Sequence, residues 1–232
     1  MSKKFIKICI FMLLTVLLWG QSNFSRGEEF FMQNNPSQAV VFLERALAEE
    51  PANSLIYLYL GVVYEQLNRN DEAIAIYRRI LPSAGNLSAN VANNLGNVYF
   101  QRGNMDEAES FYTQALGFSS VYATAYLGRA NTRIRSGNLM NAVSDYEQYL
   151  TLEPRSSQRA NIEQLISLIR TEIATESMRR EIAAEEERRL AVERQNLLDS
   201  VSASLQSAAD HSQGISTGAE SVEHYDGEFV LD

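Results

Sequence analysis

Small residues recur at a nearly fixed interval through the middle of this 232-residue chain, and no other feature constrains its fold as much. Gly27, Gly61, Gly96 and Ala130 are separated by 34, 35 and 34 residues. Ala39, Ala73, Ala108 and Ala142 follow each of them by 12, and Leu43, Tyr77, Tyr112 and Tyr146 come 4 residues later still. Phe30, Tyr64 and Tyr99 sit 3 after the first three glycines, and Arg133 breaks that set. A period near 34 points to stacked helical hairpins. The small residue on a first helix lets a second helix approach closely, and the alanine answers it from the other side. The ring 4 residues on fills the gap to the next hairpin. In Leu60-Gly61-x-x-Tyr64 and Leu95-Gly96-x-x-Tyr99 the ring falls at i+3, on the face of the small residue.

The punctuation agrees with hairpins. Asn35-Pro36 reads as a cap followed by proline at the first helical position, where its missing N–H is harmless. Asn70-Asp71-Glu72 and Asn104-Met105-Asp106-Glu107 read as second-helix starts, with capping side chains and acids near the positive end of the dipole. Gly103 and Gly137 mark inner turns, and Pro51, Pro82 and Pro154 end second helices. The extra residue of the 35-residue step is expected within Leu81–Asn86, where Pro-Ser-Ala-Gly-Asn is loop chemistry.

These residues resemble the tetratricopeptide repeat family. The resemblance is fullest in 54–88, through Tyr57, Leu60, Gly61, Tyr64, Ala73 and Tyr77, and in 89–122, through Leu95, Gly96, Tyr99, Ala108, Tyr112 and Ala115. Segment 123–156 matches through Tyr126, Ala130, Ala142, Tyr146 and Pro154, with Arg129 and Arg133 in place of Leu and Tyr. Segment 23–53 is a degenerate copy, through Gly27, Phe30, Ala39, Ala46 and Pro51. The resemblance implies an all-α fold: a right-handed superhelix of four stacked hairpins followed by a long C-terminal helix.

That last helix is read over 157–209. Ser156 and Ser157 cap it, and Ile162, Leu165, Ile166, Ile169 and Ile173 form a stripe suited to covering the last hairpin. Glu176–Arg194 is dense in charge, with Glu176/Arg180, Glu185/Arg189 and Glu185/Arg188 at helical spacings. Leu190, Leu197, Val201, Leu205 and Ala208 then make a thin seam, so coiled-coil self-association through 176–209 is an open alternative. The tail, 210–232, carries six acids and no basic residue, the composition of a disordered segment.

The N-terminus reads as an export signal over 1–22. Lys3, Lys4 and Lys7 precede an apolar run from Ile8 to Trp19, and small residues follow at Gly20 and Ser22. Twelve apolar residues fall short of the roughly 20 needed to span a bilayer, so cleavage is expected and an uncleaved membrane anchor is the alternative. Localisation is then periplasmic or secreted. From residue 23 onward there are 17 arginines, no lysine and 29 acids, a net of −12. That balance argues against nucleic-acid backbones and anionic lipid as partners. The segment 23–210 has no cysteine and no histidine, which excludes thiol catalysis, histidine triads and Cys/His zinc sites there. No enzyme activity, cofactor or metal is expected, and an enzyme built on carboxylates alone is the alternative.

Tetratricopeptide arrays, as the resemblance implies, hold a partner peptide or helix in a groove lined by first helices. The groove positions fall on Leu58, Val62, Glu65 and Gln66, then Asn90, Asn93, Asn97 and Gln101, then Leu127, Asn131 and Arg135, with Asn94 one residue along. Asn90, Asn93 and Asn97 share a helical face, and four asparagines in one helix are unfavourable for helix propensity. Each amide offers both a donor and an acceptor, which suits an extended backbone. Members that clamp a terminal carboxylate pair Asn with Lys or Arg. Here only Asn94 matches, and Leu58, Val62, Thr124 and Gly128 occupy the corresponding positions. Arg129, Arg133 and Arg135 are expected to form ion pairs on a solvated face, with capture of acidic groups as the alternative.

Overall fold

The computed structural model describes residues 22–218, and among these it contains helices and turns only. The export signal, apart from Ser22, and the end of the acidic tail lie outside the described residues. Eight helices form four antiparallel pairs. The pairs are α1 (Asn23–Met32) with α2 (Pro36–Glu49), and α3 (Ser54–Gln66) with α4 (Asn70–Ile80). They continue as α5 (Ser88–Gln101) with α6 (Met105–Phe118), and α7 (Ala123–Arg135) with α8 (Leu139–Leu152). Each pair packs on the next through its second helix, and successive first helices also touch. A ninth helix, α9, runs Arg159–Gly218.

The same device closes all four inner turns. Asn34, Asn68, Gly103 and Gly137 adopt positive φ (53°, 57°, 81° and 76°), one at the end of each first helix. The following amide reaches back five residues in each case: Asn35 to Phe30, Arg69 to Tyr64, Asn104 to Tyr99 and Asn138 to Arg133, at 2.8–2.9 Å. Asparagine and glycine tolerate this left-handed geometry best, and the back-bond satisfies carbonyls the helix end leaves free. Asn35 caps α2 through Gln38 N at 3.3 Å, with Pro36 at its first position, as the sequence suggests. The other two expected caps differ. Asn70 is already helical, and Asn104 occupies the cap position without a side-chain bond. The back-bonded turn fixes the chain there, and the acids Asp71, Glu72, Asp106 and Glu107 still complement the dipole. After α4, two single 3₁₀ turns (Leu81–Ser83 and Gly85–Leu87) take up the additional residue of the long step.

The recurring small residues sit where the sequence requires them. A methyl on Gly61 would lie 2.2 Å from Tyr77 Cε1, one on Gly96 2.7 Å from Tyr112 Cε1, and one on Gly27 2.7 Å from Leu43 Cγ. Tyr112 also presses on the following repeat, where a methyl on Gly128 would lie 2.4 Å from the same Cε1. Each ring therefore needs a side-chain-free backbone beside it. The apolar core has two parts. One runs from Ala39 to Ala125, through the first three hairpins and into the start of α7. The other joins α7, α8 and α9 through Tyr146, Tyr149, Leu150, Ile162, Ile166 and Ile169. Ile162, Ile166 and Ile169 do cover the last hairpin, with Leu165 and Ile173 partly buried beside them.

Arg129 and Arg133 depart from the solvated-face expectation. Asp145, 3 % exposed, accepts from Arg129 Nε and Nη2 at 2.9 and 2.7 Å and from Arg133 Nη1 at 2.7 Å. Arg133 Nε also reaches Glu109 at 2.7 Å. Hydrogen bonding to Asp145 raises the Arg129 pKa further, against the opposing pull of burial. Asp145 stands at the repeat position of Phe42 and Phe111, and Arg133 at that of Phe30 and Tyr99. In the first and third repeats those positions hold stacked rings, Phe30 on Phe42 and Tyr99 on Phe111, each 5.4 Å apart. The fourth repeat replaces the stack by a buried ion pair.

Within α9, residues to Ile173 belong to the repeat unit and those from 174 onward form a second compact unit. The helix runs past Ala209 to Gly218, where a disordered tail was expected to have begun. No glycine or proline falls between 203 and 213 to interrupt it. In the second unit Glu176 pairs with Arg180 and Glu185 with Arg188, whereas Arg189 turns to Glu186 instead of Glu185. Met178, Ile182, Leu190, Leu197, Val201 and Leu205 are exposed. Among the described residues no helix is long and apolar enough to cross a membrane.

Candidate functional site

The first helices α5 and α7 face one another across a cleft of about 540 Å³. Asn93, Asn97, Phe100 and Gln101 line it from α5, and Thr124, Leu127, Gly128 and Asn131 from α7. Tyr112 and Tyr122 complete the wall. The volume falls in the range of ligand sites, roughly 300–1,000 Å³. No lining side chain carries a charge.

Tyrosine hydroxyls from the second helices set the amides. Tyr112 donates to Asn97 Oδ1 at 2.8 Å and Tyr146 to Asn131 Oδ1 at 2.6 Å. Tyr77, one repeat earlier, donates to Glu65 Oε1 at 2.6 Å and accepts from Asn94 Nδ2 at 3.2 Å. Asn93 Nδ2 extends the chain to Asn94 Oδ1 at 3.4 Å. Burial pushes the Glu65 carboxyl up to about 7, against the lowering effect of the Tyr77 hydrogen bond. Burial likewise raises the Tyr77, Tyr112 and Tyr146 phenols, with the Glu65 charge adding to the first two.

Of the residues singled out by sequence, Asn93, Asn97, Gln101, Leu127 and Asn131 meet in this cleft. Asn90 is displaced from the lining and donates to Tyr122 Oη at 3.0 Å, holding that ring in place. Asn94 is committed to Tyr77. Leu58 and Val62 lie partly buried against the core of the first three hairpins. Sequence reasoning left out Phe100 and Tyr122. Phe100 is legible in hindsight, because it falls 3 after Asn97 and 7 after Asn93, on the same helical face. Tyr122 lies outside any first helix, and nothing in the spacing marks it. Arg135 rests on Phe100, its guanidinium carbon 4.8 Å from the ring centroid and Nη1 3.3 Å from the Phe100 carbonyl. Among the described residues no group of His, Cys, Asp and Glu is placed to hold a metal ion.

The repeated glycine-against-tyrosine contact and the back-bonded inner turns define the hairpin as a unit, and part of the chain is similar to a known family. Residues 53–120 match the tetratricopeptide repeat family. The matched segment contains α3 to α6, the two copies in which the sequence pattern is most complete. Solved structures of similar fold include that of MamA protein, which is 21 % identical with a TM-score of 0.56 and covers 63 % of this chain and 78 % of its own. The structure of PilF from Pseudomonas aeruginosa is 21 % identical with a TM-score of 0.58, over 65 % of this chain and 68 % of its own. At such identities the likeness concerns the fold, a tetratricopeptide-type stack. No curated protein matches the sequence.

Proposed function

We propose that this chain is an exported, non-enzymatic scaffold that holds a partner polypeptide, as a peptide or a helix, in the cleft between α5 and α7. One observation carries the reading. Four amide side chains and four aromatic or aliphatic side chains converge on an open, uncharged cleft between first helices. A peptide needs such a mixture of donors, acceptors and apolar contact, whereas catalysis needs a positioned acid, base or nucleophile. The cleft residues hold none with an ordinary acid–base role at neutral pH.

Capture of partners from the native host tests this, with the wild-type chain and an Asn93→Ala/Asn97→Ala variant compared side by side. The groove reading expects a discrete set of proteins retained by the first and lost by the second. Equal recovery by both removes it. Export rests on residues 1–22 alone. N-terminal sequencing of the protein isolated from its host should find a chain beginning near residue 23, and an intact Met1 in the membrane fraction would favour the anchor.

A second reading makes the helix beyond residue 174 the active element, through self-association. What favours it is the run of exposed apolar side chains there, Leu190, Leu197, Val201 and Leu205 among them, each about half or more exposed. Sedimentation of the chain with and without residues 176–232 decides. A dimer that becomes a monomer on deletion supports this reading, and an unchanged monomer dismisses it.

A further inference from the structure

We infer that Glu65 receives a basic side chain, lysine or arginine, of the polypeptide held along the first helices. This rests on the groove reading above and adds the chemistry that selects the partner.

The first observation is a charge out of pattern. Phe31, Glu65, Phe100 and Ile134 occupy one repeat position, 34, 35 and 34 residues apart. The other three copies fill it with an apolar side chain packed against the core. Where the fourth repeat puts Arg133 in an aromatic position, Asp145 stands opposite and neutralises it. Glu65 has no such counterpart. The titratable groups about its half-buried carboxylate are the Tyr77 and Tyr112 phenols, from α4 and α6, with the Asn94 amide of α5 on Tyr77. Among the described residues no cation pairs with it. A charge withdrawn from water without a partner is unfavourable, and departures of this kind concentrate at functional positions.

The second observation is that the hydrogen bond Glu65 makes does not account for its charge. Tyr112 and Tyr146 donate to Asn97 and Asn131, but Val62 stands at that position in the second repeat. Tyr77 therefore turns to Glu65 Oε1, at 2.6 Å. An amide oxygen serves a phenol equally well, as the two asparagines show, so the negative charge is surplus to this contact. Oε2 takes no hydrogen bond among the described residues, and it is not one of the sealed-off polar atoms, so it keeps contact with solvent. An open carboxylate oxygen on a desolvated stem is an acceptor for the N–H of an ammonium or guanidinium group.

The third observation is the surface beside it. Val62 and Leu58 precede Glu65 by 3 and 7 residues, on the same helical face, and both are half-buried. Such a stripe suits the methylene stem of lysine or arginine while the head reaches the acid. Glu65 also lies within electrostatic reach of the cleft. Tyr112 forms part of the cleft wall, and the Glu65 charge helps to keep its phenol protonated.

The test measures binding of two peptides to the full chain, acetyl-Leu-Ala-Lys-Ala-Leu-amide and the same peptide with norleucine for lysine. Both are titrated at pH 8 and pH 5.5, on the wild type and on Glu65→Gln, while carbon-detected NMR follows the Glu65 carboxyl. Glutamine retains an oxygen for Tyr77, so the variant loses the charge and keeps the contact. At pH 8 the lysine peptide should bind the wild type at least tenfold tighter than the norleucine peptide. That advantage should vanish in Glu65→Gln and shrink at pH 5.5, where Glu65 carries its proton. The bound lysine peptide should also move the Glu65 titration to lower pH. Equal binding of the two peptides to the wild type at pH 8 overturns the inference. So does a lysine advantage that survives in Glu65→Gln, a Glu65 titration that the peptide leaves unmoved, or no binding of either peptide at millimolar concentration. If native partners are lost with the double asparagine variant but retained by Glu65→Gln, the groove reading stands and this inference falls. If the double asparagine variant retains them, the groove reading itself falls.

Discussion

Arg133 meets Asp145 at 2.7 Å in the place where the preceding repeat stacks Tyr99 on Phe111. Both members of the pair, and Arg129 beside them, are largely withdrawn from water. Removing one partner from such a cluster leaves uncompensated buried charge, which costs about 3–5 kcal/mol. Asp145→Asn should therefore destabilise by that order in a denaturant titration. The triple change Arg129→Leu, Arg133→Tyr and Asp145→Phe restores the pattern of the third repeat, and it should be neutral or stabilising by about 1–4 kcal/mol. The two results together separate the value of the pair from the cost of breaking it.

Glycines in this fold divide into three kinds, and alanine substitution tells them apart. Gly61→Ala drives a methyl to 2.2 Å from Tyr77, a ring with 0 % exposure that has nowhere to go. Overpacking of this kind costs about 1–3 kcal/mol, more than the roughly 1 kcal/mol of helix propensity that alanine contributes. Gly103→Ala meets no atom but keeps a φ of 81°, so a loss of about 1 kcal/mol is expected. Gly117→Ala, exposed in α6 with open space around it, should stabilise by about 0.5–1 kcal/mol. Thermal melts of the three variants should rank in that order.

Glu65 makes stability fall as pH rises through the near-neutral range. Its carboxyl, pushed up to about 7 by burial, holds a proton in the folded chain at pH values where the unfolded chain has lost it. Between about 4.5 and 7 the native state thus binds more protons than the unfolded state, and the unfolding free energy decreases with pH across that window. The full effect is on the order of 2 kcal/mol for a group still partly in contact with water. Glu65→Gln keeps an acceptor for Tyr77 and removes the titration. Its stability should be flat over the same pH interval and exceed that of the wild type at pH 8.

Ile166 and Leu168 lie two residues apart on α9 and should behave oppositely. Ile166 is buried with Tyr146, Tyr149 and Leu150, whereas Leu168 is 61 % exposed. Ile166→Ala should cost about 2–5 kcal/mol, and Leu168→Ala should stay within about 0.5 kcal/mol. Equal losses would place the covering face elsewhere on the helix.

The fold was legible because close helix packing leaves a mark on single residues. Where Tyr77 must lie against a backbone, only Gly61 serves, and the requirement repeats with the hairpin. The inner turns were half legible. Gly103 and Gly137 announce themselves, while Asn34 and Asn68 do the same work at the same 34- and 35-residue spacing without a glycine to mark them. The ion cluster was misread because helical spacing shows only neighbours on one helix. Asp145 lies 16 and 12 residues from Arg129 and Arg133, on the partner helix α8, and its burial depends on packing that no local pattern encodes. The cleft was legible as a row of asparagines on one face. Which of them would stay open was not, because that is decided by tyrosine hydroxyls arriving from other helices.

The two tight 3₁₀ turns between Leu81 and Leu87 absorb a residue without disturbing the Gly61–Tyr77 or Gly96–Tyr112 contacts on either side. Chain length at that joint is therefore uncoupled from the register of the stack. It offers a graft point: an epitope, a fluorophore-bearing loop or a short affinity handle inserted between the exposed Gly85 and Asn86, past the buried Ala84, would leave the neighbouring hairpins nested as they are.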